Sequence, residues 1–401
     1  MKREFLIFIA VYCLLYGSFL NAKERDAGTE AMLKYVRACG FVKDNYVDSV
    51  NIDSLTATAV QAMVSSLDPH STYLTREQVR ISNEMLFDGF EGIGCRYSVE
   101  NDTAIVLQVV AGGPSEKAGL MPADKILFAD TTAVAGVGIS SAELQRIIRG
   151  PKGSLVNLTV LRCADTLKIP VKRDKIDVHG VSSSFMLTPS VGFVRVDYFS
   201  EGSGREFEKA LLALSKSGAV KFVLDFRGNS GGLLNEAVQM LSCFLPSGTE
   251  LYTAKGNHRG GYTARAGSSR HQFPDAPVVV LIDGGSASAS EVFAGALQDW
   301  ERAVIVGGRS FGKGMVQQSY PLGDGSEIRL TVARYYTPSG RDIQRPYKKG
   351  EYISDETGGI IPDVSVEIER DSVERMRCYY LKDSVMECEE VKEAVRILEN
   401  K

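Results

Sequence analysis

Continuously apolar runs alternate with amphipathic stretches between residues 190 and 365. The runs KFVLDF, APVVVLID and AVIVG are apolar almost throughout, which is typical of strands buried on both faces of a sheet. The intervening stretches REFEKALLALSKSG, LLNEAVQMLSCFL and SEVFAGALQDW repeat apolar residues near the helical period. This alternation predicts an α/β core in which helices pack against a mixed sheet.

Different patterns flank this core. Residues 23–84 carry apolar residues near the helical period and predict an N-terminal helical region. Residues 85–170 contain several short β-like runs and one helix-like piece, SSAELQRIIRG, which predicts a small, partly open barrel. We therefore expect a β-rich domain at 85–170, the α/β core at 171–370 and a charged helical tail at 371–401.

The first 22 residues have the pattern of an export signal. Lys2 and Arg3 precede the apolar run FLIFIAVYCLLY, and small residues follow it. The run is shorter than the roughly 20 apolar residues that a membrane span needs. We expect cleavage of residues 1–22 and a mature chain in the periplasm or elsewhere in the cell envelope, without a stable membrane span. An uncleaved anchor or a buried helix is the alternative.

Composition narrows the class of protein. The chain has 401 residues with 44% hydrophobic residues, which suggests two or three domains and excludes wholesale disorder. The net charge of −4 gives no electrostatic reason to propose nucleic acid as a partner. None of the four histidines forms an H-E-x-x-H pattern, which excludes a zinc enzyme of that kind.

Six cysteines would remain after removal of the export signal, and they are scattered without a C-x-x-C pair. We expect most of them to be buried thiols. Cys378 and Cys388 would lie about 15 Å apart on a straight helix, so they can pair only if the chain bends between them.

The segment VVVLIDGGSASASEVFAGALQDW predicts a nucleophile site. A buried strand leads into a Gly-Gly turn, three alternating serines (Ser286, Ser288 and Ser290) and an amphipathic helix. Free N–H groups at a helix N-terminus stabilise developing negative charge, as an oxyanion hole does. The pattern does not choose among the three serines, and Ser288-x-x-Glu291 also fits a simple capping box.

A serine nucleophile needs a base, and no histidine lies in a distinctive setting. A lysine can serve if burial lowers its pKa. Lys313 lies between two glycines in an apolar neighbourhood, although a solvated loop lysine is the alternative. The segment GGRSFGK also fits a phosphate-binding pattern, but Gly314 stands where that pattern needs Ser or Thr, which disfavours nucleotide binding.

Two glycine-rich segments are further candidates. LDFRGNSGG ends a predicted buried strand and could aim backbone N–H groups at an anion. FEGIG precedes a predicted edge strand, so it could hold a carboxylate while that strand accepts a peptide strand. Both segments also fit ordinary turns.

Together these segments resemble the carboxyl-terminal processing proteases, also called tail-specific proteases, of the S41 family of serine peptidases. LDPHSTYL, FEGIG, GGPSEKAGL, DFRGNSGG, GSASASE, FGKGMVQQ and GGIIPDVSV occur in the family's order. The resemblance implies a ClpP/crotonase-like core with an inserted PDZ domain, and no cofactor or metal. One departure is MPADKIL, where Ala123 replaces the usual glycine.

The resemblance also implies roles for residues. Ser288 matches the nucleophile, Lys313 the general base, and Gln317 the glutamine that orients the lysine. A non-catalytic peptide-binding scaffold on the same fold is the alternative, and the presence of these three residues argues against it.

The implied oxyanion donors are the backbone N–H groups of Ala289 and of either Gly231 or Gly232. The implied partners are proteins or peptides with free C-termini, whose tails add to the PDZ groove and control the position of Lys313. A homodimer through the N-terminal helices and an adaptor protein are left open. Three loop residues are implied to hold the carboxylate of a substrate tail: Gly92, Ile93 and Gly94.

Overall fold

The computed structural model describes residues 27–110, 112–257, 260–268, 273–354, 357–366, 372–380 and 382–400. The predicted export signal therefore lies outside the described residues, as do His258 and His271.

The chain divides into two units, residues 1–63 and residues 64–401. In the described part of the first unit, α1 (Ala27–Asn45) and most of α2 (Ile52–Ser65) are helical. No helix in the described ranges is long and apolar enough to cross a membrane.

Short elements open the second unit: β1 (Thr72–Leu74), α3 (Arg76–Asn83), a π-turn (Glu84–Asp88) and β2 (Phe90–Gly92). A small β-rich region follows, composed of β3 (Cys95–Glu100), β4 (Thr103–Val109), α4 (Pro114–Lys117), β5 (Lys125–Ala129), β6 (Thr132–Ala133), α5 (Ser141–Ile148), β7 (Leu155–Arg162), β8 (Asp165–Lys172) and β9 (Asp174–Ile176).

The antiparallel sheet of this region has the strand order β3-β4-β5-β7-β8, with β6 paired to β5. Strand β3 is therefore an edge strand. Helix α5 begins at a capping box in which the Ser140 side chain and the Glu143 carboxylate each satisfy a backbone N–H group. The sheet and α5 enclose a core of their own that includes Val106, Leu144 and Leu158.

The remaining elements are, in chain order, β10 (Val181–Met186), β11 (Val191–Val196), α6 (Ser203–Lys216), β12 (Lys221–Asp225), α7 (Leu234–Leu241), β13 (Glu250–Gly256), β14 (Gly260–Arg265), β15 (Val278–Ile282), α8 (Ala289–Asp299), β16 (Val304–Gly307), β17 (Met315–Pro321), β18 (Glu327–Tyr336), β19 (Tyr347–Lys348), β20 (Glu351–Tyr352), β21 (Val364–Ser365), α9 (Ser372–Tyr380), α10 (Lys382–Glu387) and α11 (Glu389–Glu399).

A six-stranded sheet in the order β10-β11-β12-β15-β16-β21 forms the centre of the core. Strand β10 is antiparallel to β11 and the other pairs are parallel, so the sheet is mixed, as predicted. Successive side chains of a strand point to opposite faces. Leu224 and Val280 thus join the cluster that contains α6, α7 and α8, whereas Val223 and Val279 face α9 to α11.

A second, antiparallel sheet carries one wall of the site. Its order is β1-β18-β13-β14, and β17 pairs along β18. The LDPHSTYL segment enters this sheet through β1, whose Thr72 pairs with Arg329 of β18. Strand β18 therefore has β1, from the start of the second unit, on one side and β17, the strand that follows Lys313, on the other.

The cysteine prediction is correct for three of the six residues: Cys243, Cys378 and Cys388 are buried. Cys39 and Cys95 are half-buried and Cys163 is exposed. The chain does bend between Cys378 and Cys388, because α9 and α11 are separate helices. Their side chains are in hydrogen-bond contact as free thiols.

Candidate active site

The serine turn, residues 283–288, connects β15 to α8, and it distinguishes the three serines that the sequence leaves equivalent. Ser286 and Ser290 are fully buried. Ser286 Oγ donates to the Phe226 carbonyl at 2.8 Å, and Ser290 Oγ donates to the Asn229 carbonyl at 2.9 Å. These hydroxyls are occupied in holding the turn, whereas Ser288 is only half-buried.

Ser288 also has an unusual backbone conformation, with φ 56° and ψ −112°. A left-handed φ costs a residue with a side chain about 1–2 kcal/mol, and such strain is typical of functional positions. The residue directly precedes α8, so its side chain lies at the helix N-terminus, where free N–H groups favour negative charge.

The Glu291 carboxylate joins this turn to the lysine loop, residues 310–314. Its Oε2 accepts the backbone N–H groups of Ser288 and Lys313, both at 2.8 Å. Its Oε1 accepts Ser310 Oγ at 2.6 Å and the Gly312 N–H at 2.7 Å. The backbone N–H groups of Ser288 and Lys313 thus donate hydrogen bonds to the same oxygen atom of one buried side chain. Burial raises the pKa of Glu291, although these four donors oppose that effect.

Tyr335 makes a second connection between the two segments. Its hydroxyl contacts the carbonyl oxygens of Ser288, at 3.1 Å, and of Lys313. Burial raises the pKa of Tyr335 far above its ordinary value, so the hydroxyl remains a proton donor. The residue was not identified from the sequence, where it is one of several aromatic positions in a predicted strand.

Lys313 has the environment that a lysine base requires. The residue is half-buried, and desolvation followed by the charge of Arg329 lowers the pKa of its amine. No carboxylate within the described ranges forms an ion pair with that amine. A lower pKa makes the neutral, proton-accepting form more accessible.

The LDPHSTYL segment contributes His70 to the same neighbourhood. Burial, followed by the positive charge of Lys313, lowers the pKa of His70 to about 4, so its imidazole is neutral near pH 7. His70 Nε2 lies 3.1 Å from Tyr352 Oη. The sequence analysis found no distinctive setting for His70. Of the other histidines, His179 pairs with Glu206 at 2.6 Å.

The Gln317 side chain forms its hydrogen bond with Thr331 and none with Lys313 in the structure. Its Nε2 atom donates to Thr331 Oγ1 at 3.4 Å, and Thr331 Oγ1 in turn donates to Asp68 Oδ1 at 3.0 Å. Hydrogen bonds from Ser71 and from the His70 N–H also reach Asp68, and they lower the pKa of its carboxyl group against the effect of burial. The glutamine is therefore joined to the LDPHSTYL segment.

The glycine turn, residues 227–232, packs directly against the serine turn. A Cβ atom at Gly231 would lie 2.8 Å from Ser288 Cβ and 3.1 Å from the Ala289 nitrogen, so only glycine fits there. The Gly231 N–H donates to Asn229 Oδ1 at 2.9 Å. Gly232 forms a parallel bridge with Phe199, which is made by the Phe199 and Leu233 N–H groups.

The FEGIG loop and the edge strand β3 form the predicted peptide site of the β-rich region. Gly92, Ile93 and Gly94 are buried, and Gly94 has a left-handed φ of 70°. The Arg149 guanidinium lies 4.5 Å from the centre of the Phe90 ring and pairs with Glu84 at 2.8 Å. A cavity of 450 Å³ next to the loop is lined by residues that include Phe90, Cys95, Arg96, Gln145 and Arg149.

Similarity to known proteins identifies the family of the chain. The sequence profile of "Peptidase family S41" matches residues 190–366, and that of "PDZ domain" matches residues 92–172. The carboxy-terminal processing protease CtpA of Bacillus subtilis (strain 168) is 33% identical over 336 residues, which cover 83% of this chain and 70% of CtpA. CtpB of the same organism is 36% identical over 332 residues, which cover 82% of this chain and 67% of CtpB.

A solved structure of an S41 protease candidate from Bacteroides fragilis NCTC 9343 has the same fold, with a TM-score of 0.59 and 15% identity. The alignment covers 90% of this chain and 96% of that chain. The α/β core with an inserted PDZ domain is therefore as predicted. The chain belongs to peptidase family S41 and is a serine-type peptidase that carries a PDZ domain.

Proposed function

We propose that the chain is an exported endopeptidase that binds the C-terminal tails of proteins through its PDZ domain and cleaves them with a Ser288–Lys313 dyad. The observation that carries this proposal is the shared carboxylate: Glu291 Oε2 accepts the N–H groups of both Ser288 and Lys313 at 2.8 Å. This shared contact brings the backbones of a half-buried serine and a desolvated lysine to one carboxylate, which supports a dyad of their side chains.

The chemistry follows the usual course of acyl transfer. The neutral Lys313 amine accepts the Ser288 hydroxyl proton while Ser288 Oγ attacks the carbonyl carbon of the scissile bond. The ammonium of Lys313 then gives the proton to the leaving amine, and an acyl-enzyme ester remains on Ser288. Water, deprotonated by the same amine, hydrolyses the ester and restores the free serine.

We assign the oxyanion donors to the Ala289 and Gly232 N–H groups. Ala289 begins α8, so its N–H is one of those left free at a helix N-terminus. The Gly231 N–H already donates to Asn229, whereas no described residue accepts from the Gly232 N–H. This difference favours Gly232 over Gly231 as the second donor.

Substrate recognition is assigned to the edge strand β3 and the loop of Gly92, Ile93 and Gly94. A free strand edge accepts an extended peptide, and the loop N–H groups hold its terminal carboxylate. We further propose that tail binding moves Gln317 from Thr331 to the Lys313 amine, because the Gln317 amide donates to Thr331 in this structure. The names of the CtpA and CtpB relatives support processing at C-termini.

Export rests on the sequence of residues 1–22, and it places the mature enzyme in the periplasm or the cell envelope. We keep the boundaries 85–170 for the PDZ domain and 171–370 for the protease core as proposals. An adaptor protein remains a proposed partner.

The test compares alanine substitutions at Ser286, Ser288 and Ser290 on an unfolded protein substrate. We expect Ser288→Ala to lower the cleavage rate by at least about a thousandfold, because it removes the nucleophile. Ser286→Ala and Ser290→Ala should lower it less, because those hydroxyls only hold the turns together. A substrate whose C-terminal carboxylate is amidated should be cleaved more slowly by the wild type. Normal cleavage by Ser288→Ala would refute the proposal.

A further inference from the structure

Asp283 joins the two turns that would hold the reacting atoms. Its Oδ1 atom accepts the Gly228 N–H of the glycine turn at 2.8 Å and the Gly285 N–H of the serine turn at 2.9 Å. The Asp283 N–H donates to Ser286 Oγ at 3.0 Å. The relative position of the glycine turn and the serine turn therefore depends on the orientation of one carboxylate.

The second oxygen of this carboxylate is held from the C-terminal tail. The Tyr379 hydroxyl, in α9, donates to Asp283 Oδ2. Tyr379 is 5% exposed, and burial followed by the charge of Asp283 raises the pKa of its hydroxyl. The hydroxyl therefore stays protonated and donates at any pH at which the enzyme would work.

Neighbouring residues also hold the ring of Tyr379 in place. The Arg195 and Arg227 guanidinium groups lie 4.4 Å and 5.2 Å from the ring centre. A Cβ atom at Gly228 would lie 3.0 Å from the ring, so the ring packs directly on the glycine turn. Ring and hydroxyl thus contact both sides of the Gly228–Asp283 hydrogen bond.

Helix α9 lies outside residues 190–366, which the S41 profile matches. The tail is nevertheless packed on the central sheet through Cys378, Val385, Val391 and Leu398, and Lys221 Nζ donates to the Leu398 carbonyl at 2.6 Å. A stable tail can therefore hold Tyr379 at a constant distance from Asp283.

We propose that Tyr379 is a positioning residue of the active site, whose hydroxyl orients Asp283 so that Asp283 holds the glycine turn against the serine turn. Without this hydrogen bond, the Asp283 carboxylate can rotate. The Gly232 and Ala289 N–H groups then no longer point at the same oxyanion position. The inference rests on the proposed site, and it predicts a loss of transition-state stabilisation rather than of substrate binding.

The test compares Tyr379→Phe with Tyr380→Phe. Tyr379→Phe keeps the ring and removes the hydroxyl. In the neighbouring residue, the Tyr380 hydroxyl accepts from Arg96 at 3.1 Å and is not bonded to Asp283. We expect Tyr379→Phe to lower kcat about tenfold while KM changes less than about twofold, and to weaken binding of a peptide boronate by about the same factor as kcat. Tyr380→Phe should show neither effect.

Asp283→Asn provides an independent measurement, because it changes the acceptor of the Tyr379 hydrogen bond and not the donor. If Tyr379 acts through Asp283, adding Tyr379→Phe to Asp283→Asn should lower kcat no further. Wild-type kcat in Tyr379→Phe, or a kcat loss that is fully additive with Asp283→Asn, would overturn the inference. A loss of kcat that follows a fall in the unfolding midpoint would also overturn it. Activity in Ser288→Ala would instead refute the proposed function itself.

Discussion

At the scale of single residues, Glu291 joins the two segments of the proposed site. The motif Ser288-x-x-Glu291 predicts a capping role, and the carboxylate does accept the Ser288 N–H. Its bonds to Ser310, Gly312 and Lys313 could not be predicted, because they join segments about twenty residues apart that only the fold brings together. The local pattern thus identified Glu291 and its bond to Ser288, but not its bonds to the segment that contains Lys313.

Glu291→Gln should impair both stability and activity. Glutamine is isosteric, but its amide nitrogen would face backbone N–H donors that now bond to a carboxylate oxygen. We expect the free energy of unfolding to fall by about 2–4 kcal/mol and kcat/KM to fall by at least about a hundredfold. Urea unfolding and peptide hydrolysis measure the two quantities. Glu301→Gln, at an exposed position, is the control. Equal kcat/KM in the two variants would contradict the role assigned to Glu291.

Lys313→Met should be inactive but more stable than the wild type near neutral pH. The folded-state pKa of Lys313 lies below that of the unfolded chain, so the native state has a free-energy cost at low pH. The cost disappears as pH rises from the lowered pKa to the ordinary value for lysine. Methionine avoids it, so we expect a higher free energy of unfolding in the variant.

Urea unfolding of Lys313→Met and wild type at several pH values measures this difference. The advantage of the variant should shrink as the solution becomes alkaline. A variant that is less stable than the wild type at every pH would show that the amine is well solvated or paired in the native state.

At the scale of elements, most strands and helices of the core follow from local periodicity. The runs KFVLDF and APVVVLID became β12 and β15 because their buried positions are apolar on both faces. The pairing of β1 with β18 was not predictable, since it joins segments that are far apart in the sequence. Very short strands such as β19 and β21 also carry too few residues for a periodic pattern.

The turn before β5 offers a test within one element. Ala123 has a φ of 71° and stands where the family that the chain resembles has glycine. Ala123→Gly should remove this strain and raise the free energy of unfolding by about 0.5–1 kcal/mol. Ala118→Gly is the matched control, because Ala118 has a φ of −80° and glycine there should destabilise the PDZ domain. Thermal unfolding of each variant gives the comparison, and a destabilised Ala123→Gly would contradict the expected strain.

At the scale of the whole molecule, the sequence predicts a charged helical tail but no contact between that tail and the proposed site. Residues 372–400 show a charged pattern in the sequence. Which of their side chains are buried depends on their packing against the central sheet, so the structure was needed to identify them. Tyr379 carries no motif, so its contact with Asp283 had no signal in the sequence.

The first unit leads to a prediction about assembly. Helix α1 exposes apolar side chains along much of its length, including Met32, Val36 and Phe41 at 70%, 63% and 69% exposure. Such a surface is typical of an interface, and we propose that a second copy of the chain covers it. Val36→Asp with Phe41→Asp should convert a dimer to a monomer in sedimentation experiments. A wild-type chain that is monomeric at high concentration would contradict this assembly.

The central claim is that a desolvated Lys313 amine activates the Ser288 hydroxyl. The most direct test is the rate at which a peptidyl phosphonate labels the enzyme from about pH 6 to about pH 10, with the labelled residue located by peptide mass spectrometry. We predict labelling at Ser288 alone, with a rate that rises with pH around a midpoint below the ordinary pKa of lysine, and no comparable labelling in Lys313→Met. Labelling at another serine, or a wild-type rate in Lys313→Met, would contradict the account.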